Sequence, residues 1–275
     1  ETLLDQLADQ GSPADLHEAL SVPLPVQVIC ELLGVPYRDR DQFRSWSVGA
    51  SNLSDRKAAT EALEQLVAYM HQLITHKRAH PSQDVISDLI SAQAQGRYGD
   101  GSIAELAAVL LFAGHETTVT RIDYGTLLLL THPAQGEAIR RDSQLVEGAV
   151  EEILRMAVPG LSGLPRYAHD DIELAGVMIR AGDAVLLSSL AANRDADAFP
   201  DPDRFDITRT PNQHLSFGHG PRFCIGASLA RVELNAVFTA LPRRFPTLQL
   251  AVPLEDLQLR TDVLIGGLTA LPVAW

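Results

Sequence analysis

The strongest constraint on this fold is a change of hydrophobic period. Up to Met156, apolar residues recur every three or four positions, the helical spacing. Val26–Leu33 is a short apolar run closed by Gly34 and Pro36. Residues 58–80 carry Leu63, Leu66, Val67, Met70, Leu73 and Ile74 on one face, and Pro81 stops the run. Residues 84–94 repeat the pattern, a turn follows over 96–101, and Ser102 with Glu105 spells a capping box. The helix it opens runs through Ala113, Gly114, His115, Glu116, Thr117 and Thr118 to Leu130, ahead of Pro133, and another covers 147–156. After Pro159 the period fails. Residues 171–187 read as short strands with tight turns at Gly176 and Gly182. Residues 199–211, rich in Pro and Asp, read as irregular; helical spacing returns from Ile225 to Leu241, and 248–275 looks strand-like. The expected class is mostly α with a small β region, not an alternating βαβ fold.

At 275 residues and 46% hydrophobic, the chain can bury a substantial core. A formal net charge of −13 argues against nucleic acid or an anionic membrane as a partner. The longest apolar stretch, Leu106–Ala113, is too short for a membrane span. Two distant cysteines, Cys30 and Cys224, make no disulfide framework, so a reducing, cytoplasmic setting is expected.

The loop Phe217-Gly-His-Gly-Pro-Arg-Phe-Cys224-Ile-Gly226 carries the most chemistry. Gly218 and Gly220 permit a tight loop, and Pro221 stiffens it. Cys224 falls where a helix starts, and the N–H groups there favour a thiolate, a strong ligand for haem iron. Taken alone, Cys224 reads better as a buried structural cysteine beside a Gly-rich turn. Other motifs fail on detail. The glycines do not spell G-x-G-x-x-G, and His115-Glu116 is followed by Val119 where a zinc-protease helix needs His. No G-x-S-x-G elbow occurs.

Ala113–Thr118, Glu152–Arg155, Pro202–Phe205 and the loop Phe217–Gly226 stand in that order, and together they resemble the cytochrome P-450 family, specifically its soluble bacterial members. Ala113–Thr118 looks like the oxygen-activation segment, Glu152-Ile-Leu-Arg155 like E-x-x-R, and Pro202-Asp-Arg204-Phe205 like the later arginine element. Phe217, Gly220, Cys224 and Gly226 match the cysteine-loop pattern. The resemblance covers the whole chain, as one domain over 1–275: helix-rich over 1–158, mixed β and loop over 159–223, the haem-loop helix over 224–241, and C-terminal β over 248–275. It lacks a counterpart of the family's N-terminal region, so the expected fold is N-terminally incomplete.

The resemblance implies a monooxygenase with haem b held by Cys224. Glu116 and Thr117 would relay protons. Arg222, His214 and Arg166 would meet the haem propionates. Phe217, Gly218, Gly226, Ala113 and Gly114 would lie against the macrocycle, the last two leaving room for dioxygen. Glu152, Arg155 and Arg204 would form a buried charge network behind the loop. Val109, Phe112, Leu161 and Ile265 would contact a hydrophobic small molecule, in secondary or xenobiotic metabolism. A ferredoxin-type partner would bring electrons to a basic patch of Arg222, Arg231, Arg243 and Arg244. The alternative is a haem-free P-450-like protein that activates a partner enzyme.

Overall fold

The computed structural model describes residues 1–96, 103–157 and 165–275. The helices are α1 (Thr2–Gln10), α2 (Pro23–Leu33), α3 (Arg40–Ala50), α4 (Arg56–Ala79), α5 (Val85–Ala94), α6 (Ile103–Thr131), α7 (Pro133–Arg141), α8 (Val146–Met156), α9 (Ser189–Ala192) and α10 (Ala227–Arg244). The expected helices are present within a few residues of their predicted ends. Ser102 of the capping box and the turn beyond Gly96 lie outside the described residues. Three helices carry too little apolar signal to stand out: α1 buries only Leu4 and Leu7, α3 only Phe43 and Ser47, and α7 only Ile139.

Two apolar clusters form the interior. One gathers α1, α8, α10 and the C-terminal half of α6, with Ile122, Val150, Ile153, Leu234 and Phe238 at its centre. The other gathers α2 to α5 and the N-terminal half of α6, around Leu33, Phe43, Leu66, Met70 and Leu111. Helix α6 runs through both, as a helix buried on most sides must. By length and composition it could cross a membrane, but 56% of its apolar window is buried within this fold. At its middle the two clusters are separated by buried polar side chains, His115, Glu116, Thr118, Thr120 and Asp123. Gly125 lets α6 approach its neighbours: a Cβ there would stand 2.4 Å from Phe238 and 2.9 Å from Ile153.

The β structure is slight. Strands β2 (Pro165–Tyr167) and β5 (Ala184–Leu186) pair antiparallel, as do β3 (Ile172–Leu174) and β4 (Val177–Ile179). A three-stranded sheet joins β1 (Ala14–Asp15), β7 (Pro272–Ala274) and β6 (Gln249–Leu250), bringing the two ends of the chain together. The C-terminal segment is therefore less strand-like than expected. Between β6 and β7 it is a loosely paired hairpin with one bridge, Leu259 opposite Leu268. Its apolar residues serve burial, not a ladder: Val263 and Leu268 are core residues. Residues 199–211 contain no regular element, as expected.

Candidate active site

The cysteine loop is built by its own backbone. The Gly218 N–H donates to the Leu215 carbonyl at 2.9 Å, and the Cys224 N–H donates to the Phe217 carbonyl at 2.9 Å. Gly218 and Gly220 sit at φ of 73° and 72°, where a side chain would be strained. A 3-10 turn over Gly220–Arg222 then delivers the thiol. Helix α10 begins only at Ala227, so Cys224 precedes the helix and does not form its first turn. Arg231 of α10 stacks 4.6 Å over the Phe217 ring and braces the loop from behind.

Cys224 is exposed, which sets aside the buried-cysteine reading; Cys30 is the buried one, and burial raises its thiol to about 11. Cys224 lines a cleft of about 660 Å³ together with Arg166, Phe217, Gly218 and Arg222. One exposed thiol and two guanidiniums are a donor set that fits a ferric porphyrin with two carboxylates. Gly226 agrees. At φ −85° it has no need of glycine's freedom, and a Cβ there would meet only Cys224 Sγ, at 3.9 Å. Packing inside the chain does not demand a glycine at this position.

His214 is not among the residues lining the cleft. Its Nε2 lies 3.1 Å from Glu151 Oε2, and its side chain is almost fully buried. Glu151 also takes two hydrogen bonds from Arg231, at 2.6 and 2.9 Å. Burial pushes the Glu151 carboxyl up, but Arg231 and His214 outweigh it and bring it down to about 2. Arg231 is thus neutralised by Glu151, and Arg244 lies 3.1 Å from Asp5, so the expected basic patch loses two of its four members.

Helix α6 presents Val109, Ala113 and Thr117 along one exposed face, with Phe112 half-buried beside it. The Thr117 hydroxyl donates to the Ala113 carbonyl at 2.7 Å. Gly114 turns elsewhere: a Cβ there would stand 3.0 Å from Ile29, so its missing side chain admits α2. Glu116 also turns inward. It is 2% exposed and pairs with Arg260 at 3.2 Å. Ile265 lies half-buried on the C-terminal hairpin. Leu161 lies outside the described residues.

Behind the loop, Arg155 grips Glu152 with two hydrogen bonds of 2.8 Å, both side chains fully buried. Arg155 also donates to the carbonyls of Asn193 and Pro202 at 2.7 Å. Arg204 is not the third charge. Its side chain is 66% exposed and faces Asp206, and only its carbonyl joins the network. Arg209 takes that place, 3.2 Å from Glu152, with Asn212 donating to the other carboxylate oxygen at 3.0 Å. Asn193 was not foreseen in this role. Fully buried, it accepts from the Leu215 N–H and donates to the Arg155 carbonyl, tying α8 to the cysteine loop.

Residues 49–258 match the model of the cytochrome P-450 family. Among curated proteins, the chain is 47% identical to pentalenolactone synthase of Streptomyces exfoliatus, covering all of this chain and 70% of that protein. It is 44% identical to the mycinamicin IV hydroxylase/epoxidase of Micromonospora griseorubida, over 99% of this chain and 70% of that one. Among solved structures, it is similar to a mycinamicin VIII methyl hydroxylase from Micromonospora griseorubida, with TM-score 0.95 and 36% identity, over all of this chain and 70% of that one. The leinamycin-pathway hydroxylase of Streptomyces atroolivaceus gives TM-score 0.91 and 40% identity, over all of this chain and 72% of that one.

Proposed function

The chain belongs to the cytochrome P-450 family, and from that membership we propose that Cys224 is the thiolate that holds its haem iron. The protein is a haem monooxygenase with haem b as cofactor, and its reaction places one atom of dioxygen into a small organic molecule. When bound, the haem supplies the oxidising chemistry, and a thiolate ligand donates electron density to it. The residues of this chain do the rest. Arg166 and Arg222 would neutralise the propionates, which otherwise carry two buried charges. Ala113 and Thr117 would border the space where dioxygen and substrate meet. The Thr117 hydroxyl would swing from the Ala113 carbonyl to carry a proton from water, with Glu116 as the acid that replenishes it.

The observation that carries this reading is the exposed Cys224 thiol sharing one cleft with two arginines. A haem-free activator has no use for that set, and relatives named hydroxylase and epoxidase are catalysts. The substrate is a hydrophobic small molecule of bacterial secondary metabolism, hydroxylated or epoxidised. Val109, Phe112 and Ile265 supply the apolar contacts. Electrons come from a ferredoxin-type partner that meets Arg222 and Arg243. Two unbridged cysteines support a reducing, cytoplasmic setting.

The test is the absorption spectrum of the reduced, carbon-monoxide-treated protein. Wild type should give the red-shifted band of a thiolate-ligated haem. Cys224→Ser should lose that band while the protein stays folded; a retained band would reject Cys224 as the ligand.

A further inference from the structure

Glu116 reaches the outside of the molecule through one charged neighbour. Its carboxylate is 2% exposed, and Arg260 Nη1 lies 3.2 Å from Oε2. His115 Nδ1 is 3.8 Å from Oε1, but burial, then the charges of Arg44, Arg260 and His17, push that imidazole down to about 3, so it is neutral at pH 7. The other charged groups nearby have partners of their own: Arg44 bonds Glu18 at 2.8 Å, and His17 bonds Asp123 at 2.7 Å. Arg260 and Arg44 line an open pocket of about 440 Å³, with His17, Glu18, Asn52 and Asp262 around them. Bulk water therefore comes as far as the guanidinium that touches Glu116.

Arg260 sits on the C-terminal hairpin, and that hairpin is pinned at several points. The Arg260 N–H donates to the Gly267 carbonyl at 2.9 Å. The Leu53 N–H donates to Asp262 at 2.8 Å, and the Leu264 N–H to Ser51 at 2.9 Å, which ties the hairpin to the end of α3. Gly267, at φ +116°, lies against α6: a Cβ there would stand 2.8 Å from Thr120. The hairpin is thus fitted to α6 one turn beyond Glu116.

We propose that Arg260 is a positioning residue for proton supply, holding Glu116 behind the wall of this open pocket, and that the hairpin fixes that hold. The proposal rests on the reading of Glu116 as an acid. In each cycle the Glu116 carboxyl gives its proton to water on the Thr117 side. The carboxylate left behind pairs with Arg260 and regains a proton from hydronium in the pocket, which becomes water.

The experiment compares haem-loaded wild type, Arg260→Gln, Glu116→Gln and the double variant, scoring the share of electrons lost to hydrogen peroxide and the solvent deuterium isotope effect on oxygen consumption. Each single variant should lower coupled product formation about tenfold or more, within the usual reach of general acid–base catalysis, with a larger isotope effect. The double variant should be no worse than Glu116→Gln, because Arg260 acts through Glu116. Arg260→Lys should recover part of the loss. An impaired Glu116→Gln beside a normal Arg260→Gln overturns the role of Arg260 and leaves the acid standing. A normal Glu116→Gln removes the acid and the proposal with it. Should Arg260→Gln fail to fold, amide exchange over residues 259–268 of the Glu116→Gln protein decides: roughly tenfold faster exchange supports the hold, and unchanged exchange overturns it.

Discussion

Glu152 accepts from Arg155, Arg209, Asn212 and the Asp206 N–H, so each carboxylate oxygen is shared by at least two donors. Such a site punishes the loss of one partner more than it rewards the pair, because the remaining charge stays buried. Arg209→Ala should therefore destabilise the protein by about 3 kcal/mol. Arg204→Ala, whose side chain is 66% exposed, should change it by less than about 0.5 kcal/mol. Denaturant midpoints of the two variants check this. The motif spelled the wrong arginine. Both lie in an irregular segment where no period tells which way a side chain points. At Thr117 the hydroxyl is held by the Ala113 carbonyl at 2.7 Å and faces the open side of α6. Thr117→Ala should keep haem binding and divert electrons to hydrogen peroxide; measured product per electron equal to wild type would reject the relay.

Helix α10 carries a buried ionisable group that makes no ion pair among the described residues. Glu233 is 6% exposed, its Oε2 has no hydrogen-bond partner, and burial raises its carboxyl from 4.5 to about 7. A folded-state value above the unfolded one means that its contribution to stability is fully present below pH 4.5 and is lost as pH rises through about 7. Glu233→Gln should remove that loss, gaining up to about 3 kcal/mol at pH 8 and flattening the stability profile between pH 5 and 8. Thermal melts across that range measure it. The helix itself was legible, because Leu234, Val237 and Leu241 keep the apolar spacing. Its start was less so: an intact motif predicted Cys224 inside the first turn, whereas the loop's own hydrogen bonds hold it outside. The short α1, α3 and α7 escaped notice because each buries too few side chains to leave a period.

Over the whole molecule, a net charge of −13 opposes any negatively charged partner. Among the four arginines expected to attract one, Arg231 and Arg244 are paired with Glu151 and Asp5. Arg243 is exposed, and among the described residues it takes part in no ion pair. Arg243→Glu should slow electron delivery at low salt several-fold and converge on wild type above about 0.5 M salt, where the Debye length falls below about 5 Å. Arg231→Glu should instead lower stability, since it sets like charge against Glu151.

The sequence by itself determined the helical order, because helical period is a local property, and it singled out the cysteine loop and the E-x-x-R pair only through the resemblance carried by four motifs in order. Tertiary structure alone decided that Arg209 completes the Glu152 network, that Glu116 faces Arg260 while Thr117 faces the open side, and that Gly114 serves α2 packing. Those outcomes join residues as far apart as 144 positions, and only the packed chain brings such groups within hydrogen-bonding reach.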